Sequence, residues 1–298
     1  MLDYLAELVG VTRLPATPAR AQLRFFLISV QAMDVTVPAG TQVESADGLM
    51  IFATEENLTI AAGASFGDAW ASANIPGVAG NGYALGVIKS LVGSVPYINS
   101  VANQTTSAGG AEEETDDRLR QRIKEAPEQW SNAGSKGAYK FFAKGAHADI
   151  IDVAVTTPSA GVVNVYPLLS TGNPDSAVLS LVTAALDDEK VRPLTDQVQV
   201  LAPTAIAFTI AGSVTLFDWA DTASVQAAID TALAQYEAEL QSTLGRDIVV
   251  SQIIAMINGV YGVYKTVLTA PAADTVLADN EWADCTSRSV TIAGYVNG

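Results

Sequence analysis

Apolar positions recur along the chain with two periods, one strand-like and one helical. Residues 21–30 alternate, with Leu23, Phe25 and Leu27 on one side, which is the signature of a half-buried strand. Residues 35–43 read as strand, Pro38-Ala39-Gly40 turn, strand, and the Asp47-Gly48 pair marks a tight turn before a short strand over 50–53. Further strands are expected at 58–60 and 69–71, and residues 88–101 are β-prone. Short strands at this spacing predict a sandwich or barrel-like module over 21–106. The glycines at 77, 80, 82 and 86 fit no phosphate-binding spacing, and Asn81-Gly82 reads as a hairpin turn.

Beyond residue 106 the period lengthens. Leu119 and Ile123 share a helix face, and Pro127 limits that helix. Its start carries Glu112, Glu113, Glu114, Asp116 and Asp117, where the helix dipole favours negative charge. Glu114–Arg118 and Asp116–Arg120 have the i,i+4 spacing of helical ion pairs. Gly134 supplies a permissive turn, and Ser135 is the expected N-cap of a second helix with Tyr139, Phe142 and Ala143 on one face. Next come strands at 150–155 and 162–166 around a turn at 157–161, and a helix over 176–186 with Val178, Leu181, Val182 and Leu186 inward. A strand at 198–200 closes this β-β-α-β unit.

The last segment follows as β-α-α-β-β. It has a long strand at 206–216 and a helix at 224–240 with Val225, Ala228, Ile229, Leu233 and Tyr236 on one face. A second helix within 247–256, capped by Ser251, and an Asn258-Gly259 turn lead into a strand at 260–268. At the other end, Leu2, Leu5 and Leu8 form an apolar stripe at helical spacing, a candidate contact surface because nothing local accounts for it. The expected fold class is α+β and multidomain. A helical stretch over 1–20 precedes a β-rich module over 21–106, a helical corner with a small α/β sandwich over 107–203, and a second α/β module over 204–298.

Charge narrows the function. Asp and Glu number 32 against 16 Lys and Arg, a net charge of −16 in 298 residues. That disfavours nucleic acid, which needs clustered Lys and Arg, and equally an anionic membrane surface. No run of 18 apolar residues occurs. The single cysteine, Cys285, permits no intrachain disulfide and has no partner spaced for zinc. The single histidine, His147, would have to serve any Ser-His-Asp or Cys-His arrangement, and it sits in a loop. Neither dense acid cluster, 112–117 or 187–189, has the form of a calcium loop. No catalytic residue, metal ligand or cofactor is assigned. The acidity, the strands and the tryptophans (Trp70, Trp130, Trp219, Trp282) leave one rival open, a secreted glycan-active enzyme or carbohydrate-binding module.

One stretch is more specific than the rest. It reads GGAEEETDDRLRQRI, then Ala126-Pro127, then AGSKGAY. Its Gly109, Gly110, Glu113, Asp116, Leu119, Arg120, Arg122, Pro127, Gly134, Ser135, Gly137 and Tyr139 carry a resemblance to the signature of the baseplate J-like proteins. The Pro-Ala-Gly-Thr element, FATEENLTIAAG and VRPLTDQVQVLAP are similar to other parts of the same family. The resemblance implies a structural wedge component of a contractile tail baseplate, in a virion or tail-like particle assembled in the bacterial cytoplasm. Its partners would be other copies of itself, other wedge proteins, and sheath-proximal and hub proteins. It also implies that residues 1–20 are the end of a longer N-terminal helical region, and that neighbouring wedges meet through C-terminal domains.

Overall fold

The computed structural model describes residues 2–130, 135–187, 191, 193 and 195–298. Gly134 of the signature therefore lies outside the described residues. The chain divides into two compact units, residues 1–127 with 147–149, and residues 128–146 with 150–298.

The first unit opens with helix α1 (Leu2–Leu8) and strand β1 (Arg20–Leu27). The strands β2 (Val35–Val37), β3 (Gln42–Ser45), β4 (Ile51–Thr54), β5 (Leu58–Ile60) and β6 (Phe66–Ala73) follow. It ends with β7 (Ile88–Leu91), β8 (Ile98–Asn103) and helix α2 (Asp116–Glu125). Six strands form an antiparallel sheet in the order β7-β3-β4-β6-β1-β8, with β2 and β5 paired beside it. The two ends of that order, β7 and β8, lie against each other, so the sheet nearly closes into a barrel. Asn103 joins the ends. Its buried Oδ1 accepts from Ile88 N at 2.9 Å, and its Nδ2 donates to Ala84 O at 2.9 Å and Thr105 O at 2.8 Å. Without that amide, the edge N–H of Ile88 would be buried with no acceptor. Strand β1 keeps the expected alternation: Ala21, Leu23, Phe25 and Leu27 enter a core with Val43, Phe52, Ile60 and Ile88.

Asn81-Gly82 is not a hairpin. A 3-10 turn, Val78–Gly80, leads into it, and the Asn81 amide is used elsewhere. Two elements of the acidic corner also differ from expectation. Helix α2 starts at Asp116 with Thr115 as N-cap, so Glu114 lies before the helix and Glu114–Arg118 is not a helical i,i+4 pair. Past Glu125 the chain tightens into a 3-10 turn over Ala126–Trp130, where Pro127 has no N–H to offer an α-helix.

The second unit begins with helix α3 (Lys136–Ala146), strands β9 (Ile150–Ser159) and β10 (Val162–Leu169), helix α4 (Ser176–Leu186) and strand β11 (Gln197–Val200). The sheet order is β11-β10-β9. β9 and β10 are antiparallel around Gly161, and β10 and β11 are parallel, a pairing that requires a crossover such as α4. Strand β9 runs through Thr157 and Pro158 to Ser159, so the turn is tighter than the 157–161 expected. Tyr139, Ala143, Val153, Val165, Val178, Val182 and Leu186 form the core. Leu181, expected inward, is 49 % exposed, because α4 is apolar on more than one face and only the Val178/Val182/Leu186 stripe meets the sheet.

Strand β12 (Thr204–Phe217), helices α5 (Thr222–Gln241) and α6 (Val250–Asn258), and strands β13 (Val263–Ala270) and β14 (Glu281–Val296) complete the unit. Their sheet runs β13-β12-β14, antiparallel then parallel. Val225, Ile229, Leu233, Tyr236 and Leu240 line one face of α5 and are all buried, whereas Ala228, expected with them, is exposed. Each buried aliphatic side chain among them contributes about 1.5–3 kcal/mol as an upper bound for transfer from water. Ser251 does not cap α6. The helix starts after Val249, and the carboxylate of Asp274 accepts from Val250 N at 2.7 Å instead. Trp282 ties this module to the preceding one: its Nε1 donates to Asn173 Oδ1 at 2.8 Å and its ring covers Gly172.

Candidate functional site

The signature stretch is a clasp between two distant pieces of chain. Thr17 N donates to Ala111 O at 2.8 Å and Ala111 N returns to Thr17 O at 3.0 Å. Arg20 and Ala108 repeat that exchange three residues on. Between them, Gly110 N donates to Asn81 Oδ1 and Asn81 Nδ2 donates to Gly110 O, both at 2.8 Å. A Cβ on Gly110 would stand 2.4 Å from Gly77 O and 3.1 Å from Ala19 N. Both are backbone atoms, so the position needs glycine for close approach. Gly109, at φ 80°, makes the turn that aims Gly110 there.

Glu114 is the centre of the clasp. Its carboxylate, 2 % exposed as a residue, accepts from Arg122 Nη1 at 2.7 Å and from Leu14 N at 3.1 Å, and its own N–H reaches Leu14 O at 3.0 Å. Arg122 also donates to Thr12 O at 3.2 Å. Outside this buried pair, Arg13 gathers the exposed charges. It donates to Glu114 O at 2.6 Å, Asp116 Oδ1 at 2.7 Å and Asp3 Oδ1 at 2.8 Å, with Glu113 at 3.9 Å. Those bonds raise the arginine's pKa further and hold the Asp3 carboxyl below its usual range. Burial lowers the pKa of Arg118, opposed by the charges of Asp149 and Glu114.

The remaining signature residues have structural places. Leu119 is fully buried, Arg120 pairs with Asp117 on the surface, and Pro127 is exposed. Ser135 caps α3, accepting from Ala138 N at 3.1 Å. Gly137 packs on the Glu128 side chain, and buried Tyr139 donates to Asp196 Oδ2 at 2.8 Å. The sequence missed Glu114 and Asn81 as the hubs. Spacing alone offers Glu114 to Arg118, four residues on.

The other candidate chemistry is engaged in the same way. His147 lies in the loop after α3, as expected, but it is buried: Nδ1 accepts from Asp149 N, and Nε2 sits 3.2 Å from both Thr17 Oγ1 and Gly109 O. With Nδ1 accepting, the neutral ring carries its proton on Nε2 and donates to Gly109 O, fastening the clasp. Cys285 is half-buried, and burial raises its thiol pKa. A cleft of about 260 Å³ brings Trp70, Glu55 and Asp68 together, the grouping a glycosidase would want. Yet Glu55 is bound by Arg20 and Ser72, and Asp68 accepts from Nε and Nη2 of Arg24, both at 2.7 Å. Arg20 also covers the Trp70 ring at 5.2 Å. Among the described residues no three His, Cys, Asp or Glu groups are placed to hold a metal ion, and no helix is long and apolar enough to cross a membrane.

Helix α1 presents the N-terminal stripe largely to solvent. Leu5 is 50 % and Leu8 80 % exposed, Leu2 is half-buried, and only Ala6 is buried. A second apolar surface lies on the C-terminal module around Trp219 and Tyr261.

Comparison with known proteins covers most of the chain. The baseplate J-like protein barrel domain matches residues 22–110, the baseplate J-like central domain residues 131–202, and the baseplate J-like protein C-terminal domain residues 206–292. Baseplate protein J of Escherichia phage P2 is 35 % identical over 185 residues, which is 61 % of this chain and 60 % of that protein's length. The baseplate of the anti-feeding prophage contains a chain that aligns over 96 % of this one and 79 % of its own length, at 14 % identity and a TM-score of 0.40, too low to carry an argument. On its three consecutive domain matches, the chain belongs to the baseplate J-like family.

Proposed function

We propose that this chain is a structural component of a tail baseplate, a wedge subunit that works by fitting against neighbours and not by catalysis. The observation that carries the reading is the run of three family domains in order along the chain, with a relative named as a baseplate protein. The site geometry supports it. The signature's polar groups are spent on holding strands and loops in register, whereas large apolar side chains face solvent at Leu5, Leu8, Trp219 and Tyr261. Contiguous exposed apolar surface marks interaction sites.

On this reading the partners are other copies of the chain and other wedge, hub and sheath-proximal proteins. The baseplate's shape change, which triggers sheath contraction, passes through exchange of one interface set for another. The N-terminal stripe and the module over 204–298 are the contact surfaces. Electron microscopy of the native particle with this subunit labelled tests the location: label in the baseplate is expected, and label elsewhere overturns the reading. Deleting 204–298 is expected to leave a folded remainder that forms no wedge rings. Rings built by that remainder would remove the C-terminal contact from the proposal.

A further inference from the structure

We propose that the aromatic cleft of the C-terminal module, made by Trp219, Tyr261 and Asp221, is a docking site for an apolar peptide segment of another protein that carries an arginine or lysine. The proposal rests on the reading of this module as a contact surface and names what it receives.

The cleft is built, not incidental. It measures about 360 Å³ and lies between the turn after β12, the start of α5 and the turn from α6 into β13. Gly262, at φ 99°, lets the last turn close in: a Cβ there would stand 2.9 Å from both Ala220 and Val225, and Gly262 O accepts from Phe217 N at 3.0 Å. That approach sets the Tyr261 ring against Trp219, with centroids 4.8 Å apart. Trp219 in turn stacks on Phe217 at 5.5 Å and 10°. Even so, Trp219 is 50 % and Tyr261 84 % exposed. The Trp219 ring has Phe217 on one side and Tyr261 on the other before anything binds, so little of its side-chain freedom is lost on docking.

Charge selects the occupant. The lining contains no lysine or arginine, and it contains Asp221, with exposed Asp218 beside Trp219. Asp221 accepts from Ser224 N at 2.9 Å and Ser224 Oγ at 2.6 Å through one oxygen, Oδ2, and these bonds hold its pKa below the usual carboxylate range. The cleft is therefore anionic at its rim and aromatic on its walls, which is the environment that attracts a guanidinium or ammonium group. Its volume suits one long side chain with its apolar neighbours. A second copy of this chain brings a net −16 against the same acids, which argues for a different, basic partner.

The test is calorimetric titration of the full chain with the acetylated, amidated peptide Ala-Leu-Arg-Leu-Lys-Leu-Ala, and with the same peptide carrying Glu at both charged positions. The basic peptide is expected to bind at least about 10-fold more tightly, the factor given by about 1.4 kcal/mol of cation–π and ionic attraction. Tyr261→Ser changes an exposed turn residue, and Trp219→Phe keeps an aromatic wall as a folding control. Tyr261→Ser is expected to lose about 10-fold and Trp219→Phe less. Asp221→Asn keeps a helix-capping side chain, so its expected several-fold loss and weaker salt dependence report charge alone. Equal binding of the acidic peptide, or unchanged affinity in Tyr261→Ser, overturns the proposal. So does concentration-dependent dimerisation abolished by Tyr261→Ser, which would give the surface to a second copy. None of these outcomes depends on ring formation, so this test and the deletion of 204–298 fail separately.

Discussion

Removing one partner of the Glu114–Arg122 pair should cost far more than a surface charge does. In Glu114→Ala, Arg122 stays buried with Thr12 O at 3.2 Å as its remaining acceptor among the described residues, and Leu14 N loses its acceptor. Breaking a buried pair in this way costs about 3–5 kcal/mol, because the survivor's charge stays desolvated and uncompensated. Replacing both partners with apolar residues, as in Glu114→Leu/Arg122→Met, removes both desolvation penalties. The double variant should lose less than the single, a coupling of about 2 kcal/mol. The chain holds two compact units, so one optical unfolding curve mixes their transitions. Native-state hydrogen exchange, followed by mass spectrometry on peptides covering 10–20 and 107–125, reads the clasp directly. Exchange there should quicken by about 100- to several-thousand-fold in Glu114→Ala, at 1.4 kcal/mol per tenfold. An increase below about 5-fold, or a double variant no better than the single, would refute the reasoning.

Other perturbations follow from the same contacts. Gly110→Ala places a Cβ against backbone at 2.4 Å and should cost about 1–3 kcal/mol, whereas Gly137→Ala meets only the exposed Glu128 side chain and should be neutral or slightly stabilising; native-state hydrogen exchange on peptides covering each glycine compares the two. Asp68 has its pKa lowered by the Arg24 hydrogen bonds, so its contribution is present above its unfolded pKa of about 4 and is lost as pH falls through the lower folded value. The stability gap between wild type and Asp68→Asn should accordingly be widest above about pH 5 and close on acidification; a gap that widens in acid contradicts the assignment. Leu5→Glu with Leu8→Glu alters exposed positions and should shift the chain's own stability by less than about 0.5 kcal/mol each. If α1 is a contact surface, the same pair should abolish co-assembly in sedimentation of reconstituted particles, and unimpaired assembly removes α1 from the interface.

What the sequence discloses and what it conceals divide along one physical line. Strand β1 and helix α5 are legible because their burial obeys a local period: two residues in one, three or four in the other. Ser135 is legible as a cap because a cap acts within three residues. The failures are places where the deciding partner lies far along the chain. Ser251 looked like the cap of α6, but the acceptor comes from Asp274, 24 residues on. Glu114 has the spacing of a helical partner for Arg118, but its partners include Leu14, 100 residues back. Asn81-Gly82 carried a hairpin's residues, yet the amide is taken by Gly110, 29 positions away. Trp219 reads as one of four scattered tryptophans until Gly262 is seen to let its turn touch that of Tyr261. The family signature itself combines both kinds of information. Its leucine and its serine answer to local periodicity, while Gly110 and Arg122 answer to a loop that one-dimensional spacing cannot show. A motif can thus be recognisable as a string well before its residues can be explained, and the explanation here is a clasp that fixes α2 against the start of the barrel domain.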